Sequence, residues 1–420
     1  MKQALFFHYD FPPAYGANVG HMLGIVHHLP EYGWNCHVIC GGEATASTTS
    51  ALTTDFSAYG NSPLITRVST KSTTPPDLRF GKLATLIPTL RHNFPDSRSS
   101  WIPMAVEKAL ALIQEQTFDA VISSCPSESN HVAASLFAKK IGIPWLPIFG
   151  DLYGWYLEEN KGWRQRIVAF ANNHYFRNWI RPAKRAICVS PAMSQYLRQT
   201  YGIDGKVAVV GANHSYSTLS PCSSPNPKFT ITYTGSVYPD DERPDLFLDA
   251  IKYCVETSAD FARLTRVLWI GTRCEELIQS LILQRGLESI CEVRGWVEKS
   301  ESLQLQAESD LLLALNTTVK RVPPGTYSYP SKIFEYLSTG RPILIYPSDR
   351  EFMTHLMSLS KETFDCVDLP ELTQTLLDVF HEWKNATLEN LVDRSSLVTR
   401  LSQSCQTATI ARELDLLCQT

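Results

Sequence analysis

The segment from residue 323 to 346, PPGTYSYPSKIFEYLSTGRPILIY, has the side chains best suited to chemistry. Ser331 and Lys332 are predicted at the start of a helix, and Glu335 follows one turn later on the adjoining face. A loop of Pro, Gly and backbone N–H groups with one lysine can hold phosphates. A carboxylate one turn further along can accept two hydrogen bonds from a ribose diol. The alternative is an amphipathic helix with a Lys–Glu pair on its surface.

Three glycine turns are predicted between a strand and the helix that follows it, at Gly16, Gly235 and Gly271. Backbone can approach a ligand closely at Gly16, and N–H groups at the start of the next helix suit an anion. The segment around Gly16 is not G-x-G-x-x-G, so no dinucleotide fingerprint is present. Each turn alone could be a plain connection. Three such turns in the same topological position together favour a ligand site, because ligands bind at the carboxyl ends of parallel strands.

Polar side chains accompany the second and third turns. Arg243 stands just ahead of a predicted helix, where a guanidinium could bind a diphosphate. Thr272 and Arg273 directly follow Gly271.

Two successive series of short apolar runs are predicted to form two parallel sheets, because strands buried on both faces have such runs. The runs cover residues 4–9, 37–40, 120–124, 143–149 and 186–190, and then 229–235, 267–271, 291–295, 310–315 and 342–346. Helices are predicted at 244–255, with Pro244 first, and at 275–286, with Gly286 as C-cap. The Ser/Thr/Pro-rich stretch 43–100 is expected to be irregular.

The clearest linker, SYSTLSPCSSPNPK, divides the chain at residues 215–228. The sequence therefore predicts an α/β protein of two facing Rossmann-like domains, at 1–214 and 229–400, with a ligand cleft between them. Residues 401–420 are expected to form a C-terminal helix that can pack back on the first domain.

Composition and charge narrow the function classes. With 44% hydrophobic and 19% charged residues, the 420-residue chain is neither collagen-like, coiled-coil nor wholly disordered. The net charge of −4 does not indicate nucleic acid. Residues 1–215 carry 19 basic and 14 acidic side chains (+5), and the remainder 19 and 28 (−9), which suits domains with different partners. With no signal peptide and no apolar run of about 18–20 residues, a cytoplasmic protein is expected.

Neither cysteine nor acidic spacing indicates a metal. The 11 cysteines include no C-x-x-C pair, which favours free thiols in a reducing compartment over zinc or disulfides. No Asp-x-Asp motif follows a predicted strand, and Asp240, Asp241 and Glu242 are expected on an exposed turn. We therefore predict no metal cofactor.

A basic and aromatic segment covers residues 161–185, with seven basic and no acidic side chains. Such a helix can lie on an anionic membrane surface. The alternative is a solvated helix that packs its aromatics inward; nucleic-acid binding uses similar chemistry, but the predicted fold argues against it. The residues predicted for this surface are Trp163, Arg164, Arg166, Arg177, Trp179 and Arg181.

The sequence resembles the family 4 retaining glycosyltransferases of the GT-B fold, which build cell-surface polysaccharides. The resemblance lies in HYDFPPAYGANVGHMLGIVHHLPEYGW, FDAVISSCPSESNHVAASLFAKKIGIPWLPIFGDLYGW, AICVSPAMSQYL and VAVVGANHS, and most specifically in PSKIFEYLSTGRPIL. It implies that Glu335 binds the ribose of a sugar nucleotide. It also implies that Lys332, Ser331 and the turn at 235–236 contact the diphosphate, and that the Gly16 loop faces donor and acceptor.

The donor-binding prediction covers the residues of these loops. They are Gly16, Ala17, Gly235, Ser236, Arg243, Gly271, Thr272, Arg273, Tyr327, Ser328, Tyr329, Pro330, Ser331, Lys332, Ile333 and Glu335. Four positions depart from the family pattern. Tyr327 replaces a second Glu that normally holds sugar hydroxyls, Ser236 replaces an Arg, Arg243 a Lys and Ala17 a Gly.

Asp151 and His131 are the catalytic candidates in the first domain. Asp151 follows the fifth strand in FGDLYGW, where it could contact the reacting sugar or an acceptor hydroxyl; the alternative is a helix N-cap. His131 could line the cleft, or be a helix-start cap or surface residue.

The predicted function is transfer of a sugar, with retention, from a nucleotide diphosphate sugar to a saccharide or lipid-linked acceptor. The donor and acceptor are the expected partners. A non-catalytic nucleotide-sugar-binding partner of a transferase, which Tyr327 favours, and a nucleotide-sugar epimerase are the alternatives.

Overall fold

The computed structural model describes residues 1–12, 14, 17–41, 64–69, 95–152, 176–209, 226–239, 242–272, 274–316, 330–348, 363–388 and 399–419. These residues form two compact units. The first unit contains those among 1–211 and 403–419, and the second those among 212–320 and 329–402.

The first unit is built on a sheet of seven parallel strands in the order β3-β2-β1-β4-β5-β6-β7. The strands are β1 Lys2–Phe7, β2 Trp34–Gly41, β3 Leu64–Val68, β4 Ala120–Cys125, β5 Trp145–Phe149, β6 Arg185–Cys188 and β7 Asp204–Val207. The helices are α1 Ala17–His28, α2 Trp101–Leu112, α3 Glu128–Ile141 and α4 Pro191–Tyr201, and a 3-10 turn covers Leu29–Tyr32.

The second unit is built on six parallel strands in the order β10-β9-β8-β11-β12-β13. Its strands are β8 Phe229–Thr234, β9 Thr265–Ile270, β10 Cys291–Arg294, β11 Leu311–Leu315, β12 Ile343–Tyr346 and β13 Thr363–Asp365. Its helices are α5 Pro244–Thr257, α6 Ala259–Leu264, α7 Glu275–Arg285, α8 Lys299–Ala307, α9 Lys332–Thr339 and α10 Leu369–Lys384. The last helix, α11 Gln403–Cys418, belongs to the first unit.

Both faces of the first sheet are covered, which explains the continuous apolar runs of its central strands. In β1, Leu5 and Phe7 pack into the core formed with α2 and α3, whereas Ala4 and Phe6 pack into the core formed with α1 and α11. Alternation along a strand thus places consecutive apolar residues in two different cores.

The predicted α/β class with two Rossmann-like parallel sheets is confirmed. Pro244 begins α5, and Gly286 ends α7 with a φ of +68°, both as predicted. The irregular structure expected for 43–100 is wrong for Leu64–Val68, which pairs with β2 as a parallel edge strand. The short strands β7 and β13 were also not predicted.

An ion pair joins α11 to the first sheet. Nε of Arg185 donates to Oε2 of Glu413 at 2.5 Å, and the Glu413 side chain is only 4% exposed. Arg185 also lies 3.9 Å from the half-exposed carboxylate of Asp204. The pKa of Arg185 is raised, chiefly by its hydrogen bond to Glu413.

Glu413→Ala is expected to destabilise the first unit by about 2 kcal/mol, because a charged hydrogen bond is lost and a cavity is left where the buried side chain was. Asp204→Ala is the control and is expected to cost less than about 1 kcal/mol, because exposed ion pairs contribute little. Urea unfolding measures both. Equal losses in the two variants would contradict this role of Glu413.

Candidate active site

Two glycine turns meet at the carboxyl ends of β8 and β9. Gly235 has a φ of +94° and Gly271 a φ of +69°, a conformation that side chains rarely adopt. The Gly235 N–H donates to the Ile270 carbonyl at 2.9 Å, and a Cβ on Gly271 would lie 3.9 Å from the nitrogen of Gly235. Two of the predicted turns are therefore neighbours. Thr272 is buried, and its hydroxyl accepts the Cys274 N–H at 3.2 Å.

Lys332, at the start of α9, points toward the first of these turns. A Cβ on Gly235 would lie 3.9 Å from its Nζ atom. Nζ is buried, has no hydrogen-bond partner among the described residues, and lies 3.7 Å from the centre of the Tyr233 ring. Burial lowers the pKa of Lys332 to about 8, against the opposite influence of Glu242 and Glu335. The surface Lys–Glu pair is thus excluded for Lys332, whose ammonium is placed to receive an anion.

The start of α9 is fixed by its own backbone and by β8. The Ile333 N–H donates to the Pro330 carbonyl at 3.0 Å, and Ile333 is buried. The hydroxyl of Tyr336 accepts the Thr234 N–H at 2.9 Å. These contacts hold Lys332 beside the end of β8. Ser331 is half-buried and makes no side-chain cap.

Glu335 lies one turn after Lys332 and is half-buried. Nε2 of Gln306, on α8, lies 3.4 Å from Oε2 of Glu335 and 3.3 Å from the Thr234 hydroxyl. Gln306 is fully buried, and its Oε1 has no partner among the described residues. Gln306 was not predicted from the sequence, because a glutamine in a polar helix, KSESLQLQA, has no distinctive spacing.

Glu242 was expected on an exposed turn, and this is wrong. It is 8% exposed, and its Oε2 accepts the Tyr233 hydroxyl at 3.2 Å and the Tyr238 N–H at 3.0 Å. Asp240 and Asp241 lie outside the described residues.

Arg243, the predicted diphosphate cation, is exposed at the start of α5. Its guanidinium makes two hydrogen bonds to Asp245, at 2.8 and 2.6 Å. Asp245 would therefore compete with a diphosphate for this cation. Ser236 is half-buried after Gly235. Five predicted donor residues, Gly16, Arg273, Tyr327, Ser328 and Tyr329, lie outside the described residues, and of Ala17 only its place at the start of α1 is described.

The two catalytic candidates of the first unit differ in exposure. His131 is 1% exposed; Nδ1 lies 2.7 Å from the Ser123 hydroxyl, and its ring packs 4.9 Å from Phe149. It is neither a surface residue nor a cap, and burial lowers its pKa to about 3. In this conformation it is a neutral core side chain. Asp151 is half-buried just after β5, and its carbonyl accepts the Cys125 thiol at 2.8 Å.

A buried network missed by the sequence analysis lies at the carboxyl end of β1. His8 is fully buried, with Nδ1 2.8 Å from the Ser124 hydroxyl and Nε2 3.3 Å from the Asn18 amide. Burial lowers the pKa of His8 to about 3, so the ring is neutral and can both donate and accept. It links β1, β4 and the start of α1. Its only sequence signal is a polar residue directly after an apolar run.

A carboxyl pair stands near the start of α3. Asp96 accepts the Ser129 N–H and the Ser129 hydroxyl, both at 2.8 Å, and so caps the helix. Glu128 is 7% exposed, and burial, followed by the charge of Asp96, raises its pKa to about 8.

The described part of the basic segment packs its aromatic side chains inward. Phe176 is buried, and Trp179 is half-buried against the first core. Arg177 and Arg181 are exposed. Trp163, Arg164 and Arg166 lie outside the described residues. Among the helices that the structure describes, none is both long and apolar enough to cross a membrane.

Residues 19–211 match the family model described as Glycosyltransferase Family 4. These residues belong to that family. The protein is accordingly a glycosyltransferase, which transfers a sugar from a nucleotide sugar. No curated protein matches the sequence.

Solved structures support the fold of this glycosyltransferase over its whole length. The Anabaena protein HepE in complex with UDP and glucose is 15% identical, with 99% of each chain covered and a TM-score of 0.64. Sucrose-phosphate synthase from Thermosynechococcus elongatus is 12% identical, with 99% of each chain covered and a TM-score of 0.67. The lipopolysaccharide outer core galactosyltransferase WaaB is 16% identical, with 98% of this chain and 100% of that chain covered and a TM-score of 0.61. At these identities the likeness concerns the fold alone.

Proposed function

We propose that this glycosyltransferase binds the diphosphate of its donor beside Lys332 and transfers the sugar, with retention, to a saccharide or lipid-linked acceptor in glycan biosynthesis. The observation that carries the proposal is the buried Nζ of Lys332, which has no hydrogen-bond partner in the described part of the chain. Burying an ammonium without a partner is costly, so an anionic ligand there recovers free energy.

The leaving group is a nucleoside diphosphate, which gains negative charge as the glycosidic bond to the sugar breaks. Lys332 and the N-terminus of α9 supply positive potential at this point, and the Gly235 turn lets backbone approach the phosphates. Glu335 accepts hydrogen bonds from the ribose hydroxyls. Retention is carried from the family resemblance.

The acceptor part of the proposal is argued from one acidic side chain and two exposed arginines of the first unit. Asp151 is the acidic side chain that we propose for a sugar or acceptor hydroxyl, because it is half-buried at the carboxyl end of β5. A lipid-linked acceptor would require contact with a membrane surface, for which Arg177 and Arg181 provide exposed positive charge. The neighbour HepE was solved with UDP and glucose, which makes UDP the first nucleotide to test.

Mass-spectrometric turnover of a mixed nucleotide-sugar panel, with membrane lipid extract as acceptor, tests the proposal. We expect one donor to be consumed with release of its diphosphate and formation of a larger glycan or glycolipid. An epimer of the donor without transfer would indicate an epimerase. Binding of one nucleotide without consumption, with saccharide acceptors also supplied, would indicate a non-catalytic partner. Failure of every nucleotide to bind would refute the donor site.

A further inference from the structure

We propose that Glu242 is a positioning residue of the donor site, whose carboxylate supplies counter-charge to the Lys332 ammonium without occupying its N–H donors. The inference rests on the proposed role of Lys332 in binding the diphosphate.

The contacts form a short chain from carboxylate to ammonium. Oε2 of Glu242 accepts the Tyr233 hydroxyl at 3.2 Å, and the face of the same Tyr233 ring lies 3.7 Å from Nζ of Lys332. A cation over an aromatic face is attracted to the ring's electron density. A phenol that donates a hydrogen bond to a carboxylate has a more negative ring. The charge of Glu242 therefore acts on Lys332 across Tyr233.

Unlike a direct ion pair, this arrangement leaves the N–H donors of Lys332 available to a ligand. A carboxylate bonded to Nζ would use the hydrogen bonds that a phosphate needs. Here Nζ has no hydrogen-bond partner among the described residues, while burial still favours loss of its proton. A nearby negative charge that does not contact Nζ opposes that loss.

The groups that face the Lys332 ammonium come from three segments. Glu242 precedes α5, Tyr233 lies on β8, and Glu335 follows on α9, where Tyr336 is the next residue along the chain. Of the two carboxylates, Glu242 has the larger influence on the pKa of Lys332. Both tyrosines have raised pKa values, mainly through burial, and stay neutral.

Glu242 is itself fixed in place. Besides the Tyr233 hydroxyl, its carboxylate accepts the Tyr238 N–H at 3.0 Å, and its own N–H donates to the Tyr238 carbonyl at 2.7 Å. These two hydrogen bonds tie Glu242 to the backbone of Tyr238.

The test is the pH dependence of UDP affinity, measured by calorimetry from pH 6.5 to 9.5, in Glu242→Gln. The amide oxygen still accepts both hydrogen bonds, so the variant mainly removes charge. Without counter-charge Lys332 loses its proton at lower pH. The alkaline fall in affinity should move down by about one pH unit, and UDP should bind about 5-fold more weakly at pH 8 and about 10-fold more weakly at higher pH. UDP itself also ionises in this pH range, but this affects the measured affinity of every variant equally.

Two variants separate failure of this inference from failure of the donor site. If Lys332→Met does not weaken UDP binding, the proposed donor site is wrong. If Lys332→Met weakens UDP binding, but the fall in UDP affinity at alkaline pH (the alkaline limb) occurs at the same pH in Glu242→Gln as in wild type, the role of Glu242 is wrong. Glu242→Asp retains the charge and should keep the limb near that of wild type. Should Glu242→Gln not fold, a limb lowered by a full pH unit in Glu242→Asp would likewise overturn the inference.

Discussion

Lys332→Met is expected to weaken UDP binding about 100-fold while leaving the protein at least as stable as wild type. The affinity falls because the charged hydrogen bonds to the diphosphate are lost, the equivalent of about 2.8 kcal/mol. The stability is kept because methionine fills a similar volume and removes a buried, unbonded ammonium from the folded state. Calorimetry with UDP and thermal melting of the free protein measure the two effects.

The burial of the Lys332 ammonium should also be visible in the pH dependence of stability. Because the pKa of Lys332 is lowered from 10.5 to about 8 in the folded protein, the unfolded chain binds more protons between these values. Its contribution to stability should therefore rise as the pH is raised through 8. Lys332→Met should lack that rise.

The control is Lys252→Met on α5, where the lysine is 45% exposed and lies 3.8 Å from Glu256. It should leave UDP affinity and stability unchanged. A Lys332→Met variant that melts well below wild type would show that the ammonium contributes to folding through a contact that the free protein already makes. Its affinity for UDP would then not measure a binding role.

The sequence predicts those parts of the molecule whose signal is local. The strands β1, β4, β8 and β11 were found because continuous apolar runs are typical of buried parallel strands. The edge strand β3, LITRV, was not found, because four of its five residues are partly or fully exposed and its surroundings are rich in Ser and Thr.

The same distinction applies to the candidate site. The spacing of Lys332 and Glu335 predicts adjoining positions on one helix. It does not reveal that Nζ of Lys332 is buried under the end of β8. The acidic run that ends in Glu242 is typical of a solvated turn. Its burial depends on Tyr233 and Tyr238, which the chain brings to it by folding back on β8.

Glu335→Gln is expected to lower kcat/KM for the nucleotide sugar by about 100-fold, because the two ribose hydroxyls lose an ionised group that accepts their hydrogen bonds. Gln306, which lies 3.4 Å from Oε2, can still hydrogen-bond the amide oxygen of the variant, so the helix should stay in place. The matched control is Glu276→Gln, an exposed carboxylate in the first turn of α7. It should leave turnover unchanged.

Binding of inorganic pyrophosphate distinguishes the roles of Glu335 and Lys332. If Glu335 binds the ribose, its loss should weaken UDP about 100-fold but leave pyrophosphate unaffected, because pyrophosphate has no sugar. Loss of Lys332 should weaken both ligands. If Glu335→Gln weakens pyrophosphate as much as UDP, Glu335 acts through Lys332 and not on the ribose. The carboxylate would then belong with Glu242, as a counter-charge to the buried ammonium.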